Sequence, residues 1–563
     1  MSKRILLILL LIVVIAAFYY LMTSTSRVAD MIFVNGTIYT LDAKNTVAQA
    51  VAVRGNRIVD VGLTGEIQTR YRTEKVIDLQ GRTMMPGFVD GHCHILGEGT
   101  RLHSIDLVGT SSIGQIAEMV KKRVGEILHG EWIYGRGWDQ NDWAVKNFPA
   151  HDVLDRAAPD NLVILRRVDG HAVWVNKKVM DLAGITAATQ EPEGGKIYRD
   201  AKGNPTGTFV DNAINLIDKV VPELSDADIE ERLALALHEC SELGLTEVHD
   251  MGVDLQTIQA YKRLIDKGKC PIRVYCLINA PSETADKYLR DGKEVGYGNG
   301  LLTVRGIKLY IDGALGSRGA ALLDQYSDDP GNRGLTVMSE GEIDTICRNA
   351  LTGGFQVCTH AIGDRGNHIM LNEYEKILQS AAKGSLSPRW RIEHAQILQP
   401  SDIPRFKDLD ILPSMQPTHA TSDMYWAESR LGPERVKGAY AWQSLLKTGT
   451  IMVSGSDFPV ENVNPLWGFY AAVTRMDKDG SPAGGWFPDQ KMTREQAARS
   501  FSQWAAYGAF EEDTKGTIES GKWADLTVFS KDIMQIPPQE ILRTETELTM
   551  VGGKIVFEKK LSQ

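Results

Sequence analysis

The segment PGFVDGHCH, residues 86–94, ends an apolar run with His92 and His94 two positions apart. Side chains of an extended strand alternate between faces, so both imidazoles leave one face and Cys93 the other. Two imidazoles on one face can share a cation; the plainer alternative is a polar strand end facing solvent. Partners for such a cation lie far along the chain. His360 ends FQVCTH, His394 ends WRIEH, Asp457 ends VSGSD, and Lys308 lies inside RGIKLYID. Imidazole and carboxylate suit zinc or a neighbouring divalent ion, which lowers the pKa of bound water from about 15.7 to roughly 7. Asp457 is placed to orient that water, take its proton and hand it to a leaving amine, or else merely to cap the loop SDFPVEN. Lys308 can ligate only if neutral or converted by carbon dioxide to a carbamate that bridges two ions. Otherwise it pairs with Asp312 on the same face, and a single ion held by the histidines and Asp457 is expected.

Elements that bring these residues together are legible as eight strand-like runs: MMPGFVDGH, LTEVHDM, PIRVYCLI, TVRGIKLYID, FQVCTH, WRIEHA, DILPSMQ and TIMVSGSD. Amphipathic stretches fill most gaps, for example SEGEIDTICRNALTGG before FQVCTH and IMLNEYEKILQSAAK after it. Eight β-then-α units predict an α/β fold, a closed TIM-like (β/α)₈ barrel over residues 86–509, whose strand ends meet at one face. About 150 residues separate His94 from Leu245, far more than a crossover needs, so an insertion over residues 100–240 is expected to cover the barrel mouth. Short alternating strands with turns at Asn35-Gly36 and Gly55-Asn56, together with GTIESGKWADLTVFS and LTMVGGKIVFEKK, predict a small β-sandwich built from residues 29–85 and 510–560.

With 563 residues and 43% hydrophobic side chains the chain can bury a large core. A net charge of −10 with no Lys/Arg cluster argues against nucleic acid and for a small-molecule substrate. Lys3 and Arg4 precede the apolar stretch Ile5 to Met22, which as a helix rises about 27 Å. The expectation is an uncleaved transmembrane helix over residues 1–25, a single-pass anchor that leaves the catalytic part exported, on the periplasmic side of a bacterial inner membrane. Six scattered cysteines form no C-x-x-C pair and read as buried apolar residues.

The order H-x-H, Lys, His, His, Asp resembles the amidohydrolase superfamily. The motifs PGFVDGHCH, GRGWDQNDW, DGHAVWVN, KLYIDGALGSRGAAL, THAIGDRGN, IEHAQ, AYAWQSLLKTG, GSDFPVE and GKWADL resemble its YtcJ-like branch, amidohydrolase family 3, which includes an N-substituted formamide deformylase. The likeness runs from about Ala29 to Lys559. It implies metal-dependent hydrolysis of an amide or other C–N bond, with one or two divalent ions, zinc first, held by His92, His94, Lys308, His360, His394 and Asp457, and with Lys308 as the carbamylated bridge. Four more residues are candidate substrate contacts: His171, Arg318 and Trp138 in such motifs, and His419 after the seventh strand. The first three have a plainer reading. His171 could bond within its own domain, Arg318 pair with a local acid, and Trp138, with Trp143, fill a core. His249 at the end of the second strand could support the ligands. A homodimer is compatible with this reading. A lactonase or esterase on the same site, or a non-catalytic binding protein, remains open.

Overall fold

The computed structural model describes residues 27–167, 170, 172–192, 195–380 and 387–560. The chain divides into two compact units, one of residues up to His94 and from Leu237 onward, the other of Ile95–Ala236.

The larger unit holds eight parallel strands: β1 (Phe88–Cys93), β2 (Leu245–Val253), β3 (Arg273–Asn279), β4 (Leu302–Tyr310), β5 (Gln356–Ala361), β6 (Arg391–His394), β7 (Leu412–Met415) and β8 (Val453–Ser454). They pair in chain order. Beyond the last ladder the chain joins β8 to β1: the Asp457 N–H donates to the His92 carbonyl at 2.7 Å and the His94 N–H to the Phe458 carbonyl at 2.9 Å. The buried Asp90 carboxylate strengthens the seam, accepting the Ser456 hydroxyl at 2.6 Å, the Ser456 N–H at 3.1 Å and the His92 N–H at 3.1 Å. Acceptors are needed there because buried backbone donors left unpaired are costly. The barrel is thus TIM-like and nearly closed. Helix Glu340–Gly353 precedes β5, started by a Ser339/Glu342 capping box and ended by Gly354 in the left-handed region. Asp364–Gln379 follows β5.

Two sheets of the same unit take strands from both chain ends. One runs Arg57–Gly62, Ala50–Arg54, Met31–Val34, Val76–Asp78; the other Lys554–Glu558, Thr546–Val551, Leu526–Phe529, Thr83–Pro86, Thr37–Tyr39, Val47–Ala48. Phe33, Val51, Met84, Leu526 and Met550 share their core. The run MMPGFVDGH is therefore not one strand. Thr83–Pro86 pairs with Leu526–Phe529, and β1 starts after Gly87, where a Cβ would lie 2.2 Å from the Thr246 hydroxyl. The turn at Gly55-Asn56 does join a hairpin. Asn35-Gly36 does not: Met31–Val34 and Thr37–Tyr39 enter different sheets, with Asn35 at φ 55° at the crossing.

The smaller unit has its own six-stranded mixed sheet, in the order Ile105–Asp106, Trp132–Trp138, Leu162–Arg167, Ala172–Val175, Pro205–Asp211, Gly195–Arg199. Aromatic and aliphatic side chains including Trp138, Trp143, Leu165 and Trp174 fill its core.

The expectation of a single-pass anchor, and of the periplasmic location derived from it, is corrected. Among the described residues no helix is long and apolar enough to cross a membrane. Residues 1–25 lie outside the described residues. All six cysteines are buried.

Candidate active site

Six residues at or near the C-terminal ends of β1, β4, β5, β6 and β8 line one cavity of about 440 Å³: His92, His94, Lys308, His360, His394 and Asp457. A parallel barrel makes this unavoidable, since its strand ends converge on one face. His394 (φ 70°) and Asp457 (φ 64°) both occupy the left-handed region. Short polar or imidazole side chains tolerate that region better than branched ones, and such strain gathers at functional sites.

Three of the histidines have one ring nitrogen committed. His92 Nδ1 lies 2.6 Å from Glu393 Oε2, His94 Nδ1 3.1 Å from the Met251 carbonyl, and His394 Nδ1 2.7 Å from Gln416 Oε1. All three partners accept, so each Nδ1 carries a proton, and His92 and His394, which burial keeps neutral, retain the Nε2 lone pair. The Nε2 atoms of His92, His360 and His419 are buried without a hydrogen-bond partner. Burial, then the Lys308 charge, pushes His92 down to about 4 and His360 down to about 3. These rings are neutral at physiological pH, the form that ligates metals.

Asp457 sits among them. Its Oδ1 is 3.2 Å from His94 Nε2 and 3.5 Å from His92 Nε2, and its Oδ2 is 3.6 Å from His419 Nε2. Burial disfavours its charge, yet the His94 bond and the surrounding imidazoles outweigh that and hold the carboxyl well below its ordinary range. Two sets of ligating atoms, His92/His94/Asp457 and His394/His419/Asp457, each lie within 4.8 Å of one another. Donors about 2.1 Å from one tetrahedral ion stand about 3.4 Å apart, so the spacings around Asp457 fit a divalent ion. Unpartnered Nε2 lone pairs beside an ionised carboxylate make the fit chemical as well as geometric.

Lys308 is buried at the cavity floor, its ammonium 5.2 Å from the centre of the Tyr310 ring. Burial lowers its pKa, against the raising effects of Glu393 and Asp457. The alternative pairing with Asp312 is not formed: that carboxylate instead accepts the backbone N–H groups of Ala321, Ile362 and Gly363 at 2.8–3.0 Å.

The other sequence candidates fall differently. His419, in helix Pro417–Asp423, faces Asp457 and joins a ligand set rather than only a substrate wall. Arg318 bonds Asp328 at 3.0 and 3.1 Å, and Asp328 also pairs with Arg430, so the local-acid alternative describes it. Trp138 is fully buried in the smaller unit, stacked 5.9 Å from Trp143 with its indole N–H donated to the Leu165 carbonyl at 2.8 Å. It is a core residue, not a pocket wall. His171 lies outside the described residues. His249 is in mid-strand, bonded to Arg391 and Glu247 rather than to any candidate ligand.

Sequence reasoning missed Glu393, Arg391 and Gln416. A signal existed for the first two: charged residues alternating inside the apolar strand WRIEH share the face opposite Ile392. Gln416 carried no comparable signal.

Residues 75–557 match the model of the amidohydrolase family. The putative amidohydrolase YtcJ of Bacillus subtilis (strain 168) is 32% identical over 539 residues, covering 94% of this chain and 99% of that protein. The N-substituted formamide deformylase of Arthrobacter pascens is 27% identical over 557 residues, 95% and 99% of the two. The crystal structure of an uncharacterized metal-dependent hydrolase from Pyrococcus furiosus superposes with a TM-score of 0.75 at 28% identity, over 90% of this chain and 100% of that one. A cavity lined by imidazoles and an ionised aspartate at the mouth of a parallel barrel agrees with these matches: the chain belongs to the amidohydrolase family, as a metal-dependent enzyme of the class acting on carbon–nitrogen bonds.

Proposed function

We propose that this enzyme hydrolyses an amide-type C–N bond, in an N-acyl or N-formyl amine or a cyclic amide, of a small molecule that carries an apolar group. The observation that carries the reading is Asp457, buried and held ionised between two histidine sets. The proposed ligands are His92, His94, Lys308, His360, His394 and Asp457, with His419 added by the geometry, for one or two zinc or similar divalent ions. A divalent ion there would supply Lewis acidity toward the carbonyl and acidify water to a pKa of about 7.

The chain's own residues supply the rest. Asp457 has the charge state and position to take a proton from the attacking water and return it to the departing nitrogen, which otherwise leaves as a poor anion. Leu315, Ile362, Trp426 and Val460 give the cavity an apolar wall for an aliphatic or aromatic substituent. Apart from the candidate ligands, the charged residues lining it among those described are Asp423 and Glu461. Two carboxylates repel an anion, which favours a neutral substrate or one bearing an amine. The relative from Arthrobacter pascens, an N-substituted formamide deformylase by name, supports the same bond type.

The test is a panel of N-formyl amines, acyl amides, cyclic amides, lactones and esters, incubated with metal-loaded enzyme and again after chelation. Turnover of C–N substrates that disappears with the metal, and in Asp457→Asn, is the expected result. Turnover of lactones or esters alone would sink the proposal.

A further inference from the structure

A line of charged and imidazole groups runs through the barrel interior where packed aliphatic layers are usual. It starts at the site. The His92 Nδ1–H donates to Glu393 Oε2 at 2.6 Å, and Glu393 Oε1 forms an ion pair with Arg391 Nε at 2.9 Å. The Arg391 guanidinium also donates to the Gly91 carbonyl at 3.3 Å, to the Cys358 sulfur at 3.3 Å and to His249 Nδ1 at 3.0 Å. Arginine has no acceptor, so His249 must be neutral with its proton on Nε2, which it donates to Glu247 Oε1 at 3.2 Å. The other Glu247 oxygen pairs with the Lys515 ammonium, which pairs in turn with Glu511. Arg391, Glu393 and His249 are wholly buried, and Glu247 and Lys515 nearly so.

Each link from His92 to Glu247 therefore has one allowed direction of donation. Replacing buried ion pairs by apolar groups of similar volume is often neutral or stabilising, so stability alone is a weak account of five such groups in a row. The near end of the line terminates on the nitrogen that orients His92, and the far end is tied by Lys515, outside the barrel strands, to β2. We propose that Arg391, His249, Glu247 and Lys515 are positioning residues for the metal centre: they hold Glu393 as an aimed carboxylate, which fixes the tautomer and ring plane of His92 so that Nε2 faces the cavity. This rests on the reading of His92 as a ligand. Carboxylates behind ligating histidines change metal affinity about 10–100-fold when altered. The inference extends that control to β2 and to Lys515, residues that contact no candidate ligand.

The experiment uses the full chain with cobalt(II) as the probe, because its visible absorption reports ligand geometry without any substrate. Glu247→Gln, which keeps the shape of the side chain, and Arg391→Met are titrated against a competing chelator; Lys515→Met replaces Arg391→Met should that variant not fold. The expected result is a cobalt dissociation constant raised at least ten-fold and a displaced visible band in Glu247→Gln. A lowered melting temperature with unchanged cobalt affinity and spectrum would assign the line to stability alone and overturn the inference. Wild-type protein that binds no cobalt would overturn the ligand reading itself, whereas altered affinity without turnover of any panel substrate would leave this inference standing and refute only the proposed reaction.

Discussion

Gly455 stands two residues before Asp457, where the chain leaves β8 and meets β1. A Cβ built there would lie 2.4 Å from the His92 nitrogen, 2.7 Å from Asp90 Oδ1 and 3.0 Å from the His92 carbonyl oxygen. Two of those atoms are backbone and the third is locked in the seam, so none can swing aside. Ordinary contact begins near 3.4 Å, so Gly455→Ala must push the strands about 1.0 Å apart. That shift falls on the 2.7 Å bond between the Asp457 N–H and the His92 carbonyl, whose loss costs about 1 kcal/mol, with overpacking adding about 1–3 kcal/mol. Stability drops moderately, but function suffers more. A displacement near 1 Å of a proton-transferring group costs roughly 100-fold. The expected outcome is a folded protein whose kcat/KM on any accepted substrate falls about 100-fold and whose cobalt spectrum changes. Gly341→Ala, in a helix with open space around the added methyl, is the control and should leave both unchanged. Gly455→Ala with activity within three-fold of wild type would refute the claim that this contact sets the position of Asp457.

Metal retention should be insensitive to mild acid. Because burial lowers His92 to about 4 and His360 to about 3, from 6.5 in the unfolded chain, protons compete for these nitrogens only below the lowered values. Retention should hold down to about pH 5 and fail as pH drops through 4; metal analysis after dialysis showing half-release near pH 6.5 would contradict this. Arg318→Ala should change kcat/KM by less than two-fold for neutral and carboxylate-bearing panel members alike, since its partner is Asp328 and partly exposed pairs contribute about 0–1 kcal/mol. A loss above ten-fold confined to the carboxylate-bearing members would restore Arg318 as an anion clamp.

Much of the scaffold was legible because barrel strands and amphipathic helices write their periodicity into the chain. The strand ends FQVCTH and WRIEH appear as Gln356–Ala361 and Arg391–His394. Errors arose where the period was right but the partner was not. MMPGFVDGH reads as one apolar strand, yet its halves belong to two sheets, because Gly87 lets the chain turn against Thr246. Asn35-Gly36 has hairpin chemistry, but its flanking strands found longer partners elsewhere. Arg318 and Trp138 were singled out by motif, and their environments, an acid pair and an aromatic core, depend on residues remote in sequence.

By itself, the order of residue types determined which side chains could meet a divalent ion and that a repeating β-then-α pattern would carry them, because strand alternation and helix periodicity are local properties. Tertiary structure alone decided that Asp457 stands between two histidine sets, that His419 joins them, that Asp312 serves backbone donors rather than Lys308, and that Arg391 and Glu247 lie in line behind His92. The reason is physical: tautomers, ionisation and ligand spacing depend on burial and on neighbours hundreds of residues away, and those exist only once the barrel closes.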